Sequence, residues 1–419
     1  MTPRPLWRGR ALALAGVVLV SLSLRTPVAA LSPILHEVAA EIPLDAFVLG
    51  LIGAAPPLAF AASGLIAPAV ARRIGLEQAL VASLALMVVG HLARSLAPEV
   101  VSLTLGTVLA LVGVGLGNVL LPPVVRRYFP DRVGLVTSLY ATLLSVSTAV
   151  PALVAVPVAD AAGWRASLGT WTLVSLIAAV PWVAMLVRRR RSGAPLGDTA
   201  PDTGAVALEA VPGRLGVRLL RSPTAWAIGV AFGSSSLGAY AAFAWLPQML
   251  VDRAEVDPAS AGALLALFSI MGFPGGLLVP VIVARFPRST APLVLLGGVL
   301  FAVGYLGLLI APTAAPAVWV VSAGLGPLLF PLALVLINLR SVSHRTTVAL
   351  SGFVQTVGYI LGAVGPFVVG ILHDATGGWT APLVFLLAAL VLVPPAAIVL
   401  ARRRTVDAEL RPAGVGSPA

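Results

Sequence analysis

The chain has 419 residues, 59% of them hydrophobic and 10% charged, with a mean hydropathy of +1.02; soluble domains carry roughly 45–50% apolar and about 25% charged residues, so this is the composition of an integral membrane protein. The absence of Cys removes disulfide frameworks, thiolate metal sites and Cys nucleophiles together. All 27 basic residues are Arg, against 16 acids, for a formal charge of +11, and the positions of those arginines decide whether the excess points to nucleic acid or to a membrane.

At the N-terminus, Arg4, Arg8 and Arg10 precede an apolar stretch from Ala11 to Leu24 and the small residues Val28-Ala29-Ala30, a layout that imitates a secretory signal. The apolar run continues past Arg25 to Leu35, long enough to cross a bilayer, so it is read as an uncleaved first span. Apolar stretches of about 20 residues predict spans near 11–34, 46–70, 78–96, 100–125, 133–158 and 166–187. A second set follows near 224–248, 259–283, 291–311, 317–338, 347–371 and 381–400. The expected organisation is a six-helix bundle at 1–187, a Gly-, Pro- and Arg-rich cytoplasmic linker at 188–222, a second six-helix bundle at 223–401 and a cytoplasmic tail at 402–419. Within the linker, Arg214, Arg218 and Arg221 recur at i, i+4 and i+7 opposite Leu215 and Leu219, the spacing of a short amphipathic helix on an anionic membrane face. Ser222-Pro223, Asp257-Pro258 and Asp131 read as helix N-caps.

With the N-terminus placed in the cytoplasm, 23 of the 27 arginines fall in cytoplasmic segments; the others are Arg25, Arg94, Arg165 and Arg253. This bias predicts that both termini are cytoplasmic. It also accounts for the basic excess by topology, so no nucleic-acid partner is expected.

The two sets of spans repeat each other. GLIAPAVARRIG at 64–75 matches GLLVPVIVARFP at 276–287, PIL at 33–35 matches PQML at 247–250, and Pro151 and Trp164 stand 13 apart, as do Pro366 and Trp379. The offsets are 212, 214 and 215. Because each half holds an even number of spans, the copies share one orientation and are related by an axis along the membrane normal, an arrangement that encloses a cavity at the midplane.

On these features the chain resembles the major facilitator superfamily along essentially its whole length, which implies twelve transmembrane helices in two pseudo-symmetric six-helix bundles. The loop after the second span is similar to the superfamily's Gly-x-x-x-Asp-Arg-x-Gly signature, with Arg73 and Gly75 in place, Pro68 for the first Gly and Arg72 for the acid. The resemblance assigns that acid to a cytoplasmic gate latch, so its replacement departs from the family's pattern. The gating residues expected here are Arg72 and Arg73 with Arg126 and Arg127. GWR at 163–165 is a further superfamily feature. LRTPVAALSPIL in the first span, GNVLLPPVVRRYFP at 117–130 and SGFVQTVGYILGAVGP at 351–366 resemble the bacterial cyanate permease and 2-nitroimidazole transporter group.

Arg25 is the leading candidate for the substrate site. It lies nine residues from the outer end of its span, about 13 Å at 1.5 Å per residue, beyond comfortable snorkelling. Every one of the 16 acids maps to a loop or a helix end, so no membrane-embedded carboxylate is on offer as a counterion. Its partner is expected to be an anionic or electron-rich substrate, the alternative being a structural Arg on carbonyls. The repeat places its mate at 239, beside Tyr240, and maps Tyr140 onto Gln355. Tyr140, Tyr240, Gln355 and Tyr359 are candidate cavity donors, with interhelical bonding as the alternative. Asn118 is a further candidate, behind Gly113, Gly115 and Gly117, which read as close-packing positions. Ser145, Ser147, Thr148 and Ser234 to Ser236 read as packing residues bonded to backbone carbonyls. Trp245 reads as either an outer vestibule residue or part of an interfacial belt, and His91 and Arg94 at i, i+3 as an interfacial pair, the alternative being a pair that receives anions.

The function expected is a monomeric secondary transporter of the bacterial plasma membrane, partnered by lipid bilayer and a small solute, without cofactor or metal. The resemblance implies a cyanate-like anion or a nitroimidazole-like compound, moved by alternating access. A multidrug-type exporter of the same fold needs a large aromatic cavity with an acid in it. A membrane-embedded lipid enzyme needs converging nucleophile, base or metal groups.

Overall fold

The computed structural model describes residues 10–191 and 218–410. The expected tail from 411 onward and most of the expected linker, including Arg214 of its amphipathic segment, lie outside the described residues. Twelve helical segments are long and apolar enough to cross a membrane. They are α1 (Ala11–Glu41, interrupted), α2 (Ala46–Ile74), α3 (Leu76–Ser95), α4 (Val100–Tyr128), α5 (Val133–Ala162), α6 (Trp164–Arg191), α7 (Pro223–Ala254), α8 (Pro258–Arg285), α9 (Thr290–Ile310), α10 (Pro316–Leu339), α11 (His344–Thr376) and α12 (Thr380–Ala401). A short α13 (Val406–Glu409) follows. In hydrocarbon every backbone N–H and C=O must be paired inside the segment, which makes the helix the default for runs of Ala, Leu, Val and Gly.

The helix starts largely follow their punctuation. Ser222 accepts from the Ala225 N–H, Asp257 from Ser260, Asp45 from Val48 and Ser343 from Thr346. Asp131 corrects its expected role: Arg132 occupies the N-cap position of α5, and Asp131 instead pairs with Arg10 at 2.5 Å. A charge-assisted pair outcompetes a cap once the fold brings the partner within reach. The Arg10 hydrogen bond holds the Asp131 carboxyl down at about 2.

Helices α1–α6 and α7–α12 each bury their own apolar clusters, and across the two sets α2 packs on α11 and α5 on α8. We call the arginine-rich end of the molecule inner and the opposite end outer. At the outer end the two sets touch. Phe47 of α2 meets Phe367 of α11 edge-on at 5.6 Å, and a Cβ on Gly262 of α8 would lie 2.6 Å from the Ala152 carbonyl oxygen of α5. Towards the inner end a Cβ built on Gly64 of α2, Gly134 of α5, or Gly272 and Gly276 of α8 would meet nothing within 4 Å. Among the described residues the close contacts named here between the two sets thus lie at the outer end.

Candidate functional site

The first span is not one helix. It runs from Ala11 to Ser23, resumes as a single turn at Thr26–Ala29, passes through a 3-10 turn at Ser32–Ile34 and ends in Leu35–Glu41. Pro27 contributes locally: it has no N–H for the carbonyl of Ser23, four residues earlier, and its ring crowds that carbonyl. The Thr26 hydroxyl takes the Ser23 carbonyl instead, at 3.0 Å. Neighbouring helices satisfy the rest. The Arg25 N–H donates to Ser147 Oγ of α5 at 2.9 Å, and Arg94 Nη1 of α3 donates to the Pro27 carbonyl at 3.2 Å. Ser147 therefore departs from its expected packing role.

Arg25 stands at this break, half-buried, with its Cζ 5.3 Å from the centroid of the Phe60 ring on α2, within cation–π range. It is close enough to Tyr240 on α7 and Tyr359 on α11 to interact electrostatically with both. The rings form a connected set: Phe60 meets Tyr240 at 6.3 Å and Tyr359 at 6.2 Å, Tyr359 meets Phe232 at 5.4 Å, and Tyr240 meets Phe243 at 6.3 Å. The ion pairs recorded among the described residues are Arg10 with Asp131, Arg127 with Glu77 and Arg165 with Glu41; Arg25 is in none of them. One guanidinium among aromatic faces, drawn from both halves, is suited to a flat, electron-rich or anionic solute.

The other candidates fall at different distances from this centre. Gly117 of α4 packs so close to α1 that a Cβ there would lie 2.5 Å from Leu24 Cδ2, which sets half-buried Asn118 beside the level of the break. Tyr140 rests against the core of the first half, and Gln355 Nε2 donates to Ser351 Oγ of its own helix at 2.8 Å. On the outer side of Tyr240 lies a cavity of about 40 Å³, lined by Pro27, Ser32, Thr107, Tyr240 and Phe243 among others. That is room for only a few water-sized groups, in keeping with close packing at the outer end.

At the inner end Arg72, Arg73 and Arg126 are exposed. Arg127 pairs with Glu77 at 3.2 Å, and the Tyr128 hydroxyl donates to the same carboxylate at 2.7 Å. Those bonds stay within the first half.

Two expectations are corrected. His91 and Arg94 are fully buried behind the break in α1, with no interfacial exposure, because Gly90 and Gly106 let α3 and α4 close over them. Trp245 is 1% exposed and its indole N–H donates to the Pro366 carbonyl at 2.8 Å, so it ties α7 to α11 and belongs to neither vestibule nor belt. Sequence reasoning missed Phe60, whose signal was its isolation: it is the one aromatic in the small-residue stretch GAAPPLAFAASG.

The chain matches the Major Facilitator Superfamily over residues 14–363. It belongs to that superfamily. This transporter is 32% identical over 384 residues to an uncharacterized transporter, YycB, of Bacillus subtilis, covering 91% of each chain. It is 32% identical to the 2-nitroimidazole transporter of Escherichia coli (90% of this chain, 92% of the relative) and 27% identical to that organism's cyanate transport protein CynX (87% and 90%). Among solved structures, a bacterial homolog of the human lysosomal transporter Spinster superposes with a TM-score of 0.72 at 16% identity, covering 96% of this chain and 99% of that one. A D-xylose-proton symporter gives 0.65 at 14% identity, covering 94% and 99%. The major facilitator fold and a multi-pass carrier of small solutes follow.

Proposed function

We propose that this transporter carries a small flat anion or an electron-rich heteroaromatic, of the cyanate or nitroimidazole kind, across the bacterial plasma membrane by alternating access. The observation that carries the reading is Arg25: a permanent cation at membrane depth, outside every recorded ion pair and ringed by Phe60, Tyr240 and Tyr359. A guanidinium discriminates by its planar fork as well as its charge. The relatives named for 2-nitroimidazole and cyanate are consistent with both features. Arg25 is the binding cation, Tyr240 and Tyr359 are donors beside it, Asn118, Tyr140 and Gln355 line the pathway, and Arg72, Arg73, Arg126 and Arg127 frame the inner gate. The arginine distribution supports two cytoplasmic termini.

The aromatic cluster is one of the two marks of a multidrug exporter. The other mark, an acid among the rings, is not found among the described residues, which disfavours cationic drugs. Flux into proteoliposomes decides the substrate, with cyanate, nitrate, nitrite, 2-nitroimidazole and a phenicol drug as the panel. Uptake of an anion or the nitroimidazole is expected, and transport of the phenicol alone would replace this reading with the exporter.

A further inference from the structure

The buried pair His91 and Arg94 lies outside the site as drawn so far, yet both side chains end on the break in α1. Arg94 Nη1 holds the Pro27 carbonyl at 3.2 Å. His91 Nε2 lies 3.3 Å from Thr26 Oγ1. Because that hydroxyl spends its own proton on the Ser23 carbonyl, the imidazole is the donor, and its proton sits on Nε2. The contacts fall on consecutive residues, 26 and 27, directly after Arg25. We infer that Arg94, seconded by His91, is a positioning residue for the substrate site: it grips the backbone of the break and thereby sets where Arg25 stands.

The inference rests on the substrate reading of Arg25, and four observations support it. Arg94 and His91 are 0% exposed, and a Cβ on Gly106 would lie 2.7 Å from the Arg94 backbone nitrogen, so the layer is sealed and its hydrogen bonds are unscreened by water. Arg94 Nε and Nη2, and His91 Nδ1, have no hydrogen-bond partner among the described residues. Stability alone is a poor reason to retain a buried guanidinium with one anchored N–H, since a well-packed apolar side chain is often equal or better. What that N–H does hold is a carbonyl of the broken span. Finally, the second half supplies a control. At the repeat offset of 214, His91 corresponds to Tyr305 of α9, whose hydroxyl approaches α7 so closely that a Cβ on Gly238 would lie 2.7 Å from it. There α7 runs unbroken, Tyr305 stands in the place of His91, and the uncharged Leu308 stands in the place of Arg94.

The test combines amide hydrogen exchange over residues 24–31 with melting in the presence of cyanate, nitrate or 2-nitroimidazole. It compares wild type, Arg25→Gln, Arg94→Met, Arg94→Lys, His91→Leu and His91→Gln, all reconstituted as full chains. Arg94→Met is expected to speed exchange at 24–31 by about tenfold, the loss of one charge-assisted bond, and to weaken the best-bound probe to a similar degree. Arg94→Lys and His91→Gln keep a donor in place and are expected to restore most of both; they also serve if Arg94→Met does not fold. Unchanged exchange at 24–31 in Arg94→Met and His91→Leu would overturn the clamp, as would loosening spread evenly over α3 and α4 without rescue by Lys. If Arg25→Gln loses the probe while Arg94→Met keeps wild-type affinity, the site reading stands and the positioning role falls. If Arg25→Gln keeps the probe, the substrate role of Arg25 fails, and positioning for that site fails with it.

Discussion

Spans α1 and α7 are repeat mates, yet one is broken and the other is a single helix from Pro223 to Ala254. At an offset of 214, Pro33 and Pro247 correspond, so a proline by itself does not separate them; α7 absorbs Pro247 without interruption. The difference lies at Pro27, whose mate is Ala241, and at Arg25, whose mate is Ala239. Ala241 keeps the N–H that Pro27 lacks. The broken span therefore presents a cation and loosened backbone to the centre, while the intact span presents a ring and a hydroxyl in Tyr240. The asymmetry teaches that the repeat supplies the scaffold and the departures from it supply the site.

Arg25 gives the largest expected effect on that contrast. Replacing it with Ala or Gln is expected to abolish anion binding with folding retained, a buried cation–acceptor contact being about 1.5–3 kcal/mol, or about 10- to 150-fold in affinity. Arg25→Lys keeps the charge without the planar fork and is expected to retain weak binding. Melting with and without substrate reads the outcome; equal substrate-induced stabilisation in wild type and Arg25→Gln would return Arg25 to a structural role.

Pro27→Ala makes α1 resemble α7. The restored N–H reaches the Ser23 carbonyl, and removal of an interior proline favours helix by up to about 3 kcal/mol. Amide exchange at 24–31 is expected to slow, melting to hold or rise, and substrate affinity to fall several-fold as Arg25 swings out of register. Undiminished affinity in a straightened α1 would show that the break is dispensable.

The smallest effect concerns how the two mates are anchored at their inner ends. Arg10 at the start of α1 pairs with Asp131, whereas at the start of α7 Ser222 and Thr224 bond to Glu409 of α13. The Asp131 carboxyl lies at about 2 in the folded chain, below its ordinary 3.8, chiefly through the Arg10 hydrogen bond. Its contribution is therefore complete above pH 3.8 and is lost as pH falls through about 2. The pair is solvent-accessible, so Asp131→Asn is expected to lower the melting temperature slightly at pH 5, with the difference shrinking as pH falls through about 2. A pH-independent difference would assign the loss to packing.

Much of the site was legible in the residues. Arg25 stood out because a charge inside an apolar run demands a partner, and Tyr240 followed from the repeat. Phe60 did not stand out, because a lone Phe in a lipid-length span is ordinary until the fold turns it toward a guanidinium. His91 and Arg94 were misplaced: counted along a helix they sit near its end, where the interface is the natural assignment. Burial there depends on α4 approaching at Gly90 and Gly106 and on α1 folding back over both.

The sequence by itself determined the class, the twelve spans, their repeat and the arginine-rich end. These follow from apolar run length, charge placement and periodicity, which are properties of each segment alone. The tertiary structure decided which backbone groups met which side chains: the Arg25 N–H donates to Ser147, and the Pro27 and Pro366 carbonyls accept from Arg94 and Trp245. It also decided that the outer ends of the two sets touch. In a bilayer a freed backbone group has no water to turn to, so its partner comes from whichever neighbouring helix the packing brings alongside, and that identity is written in no single span.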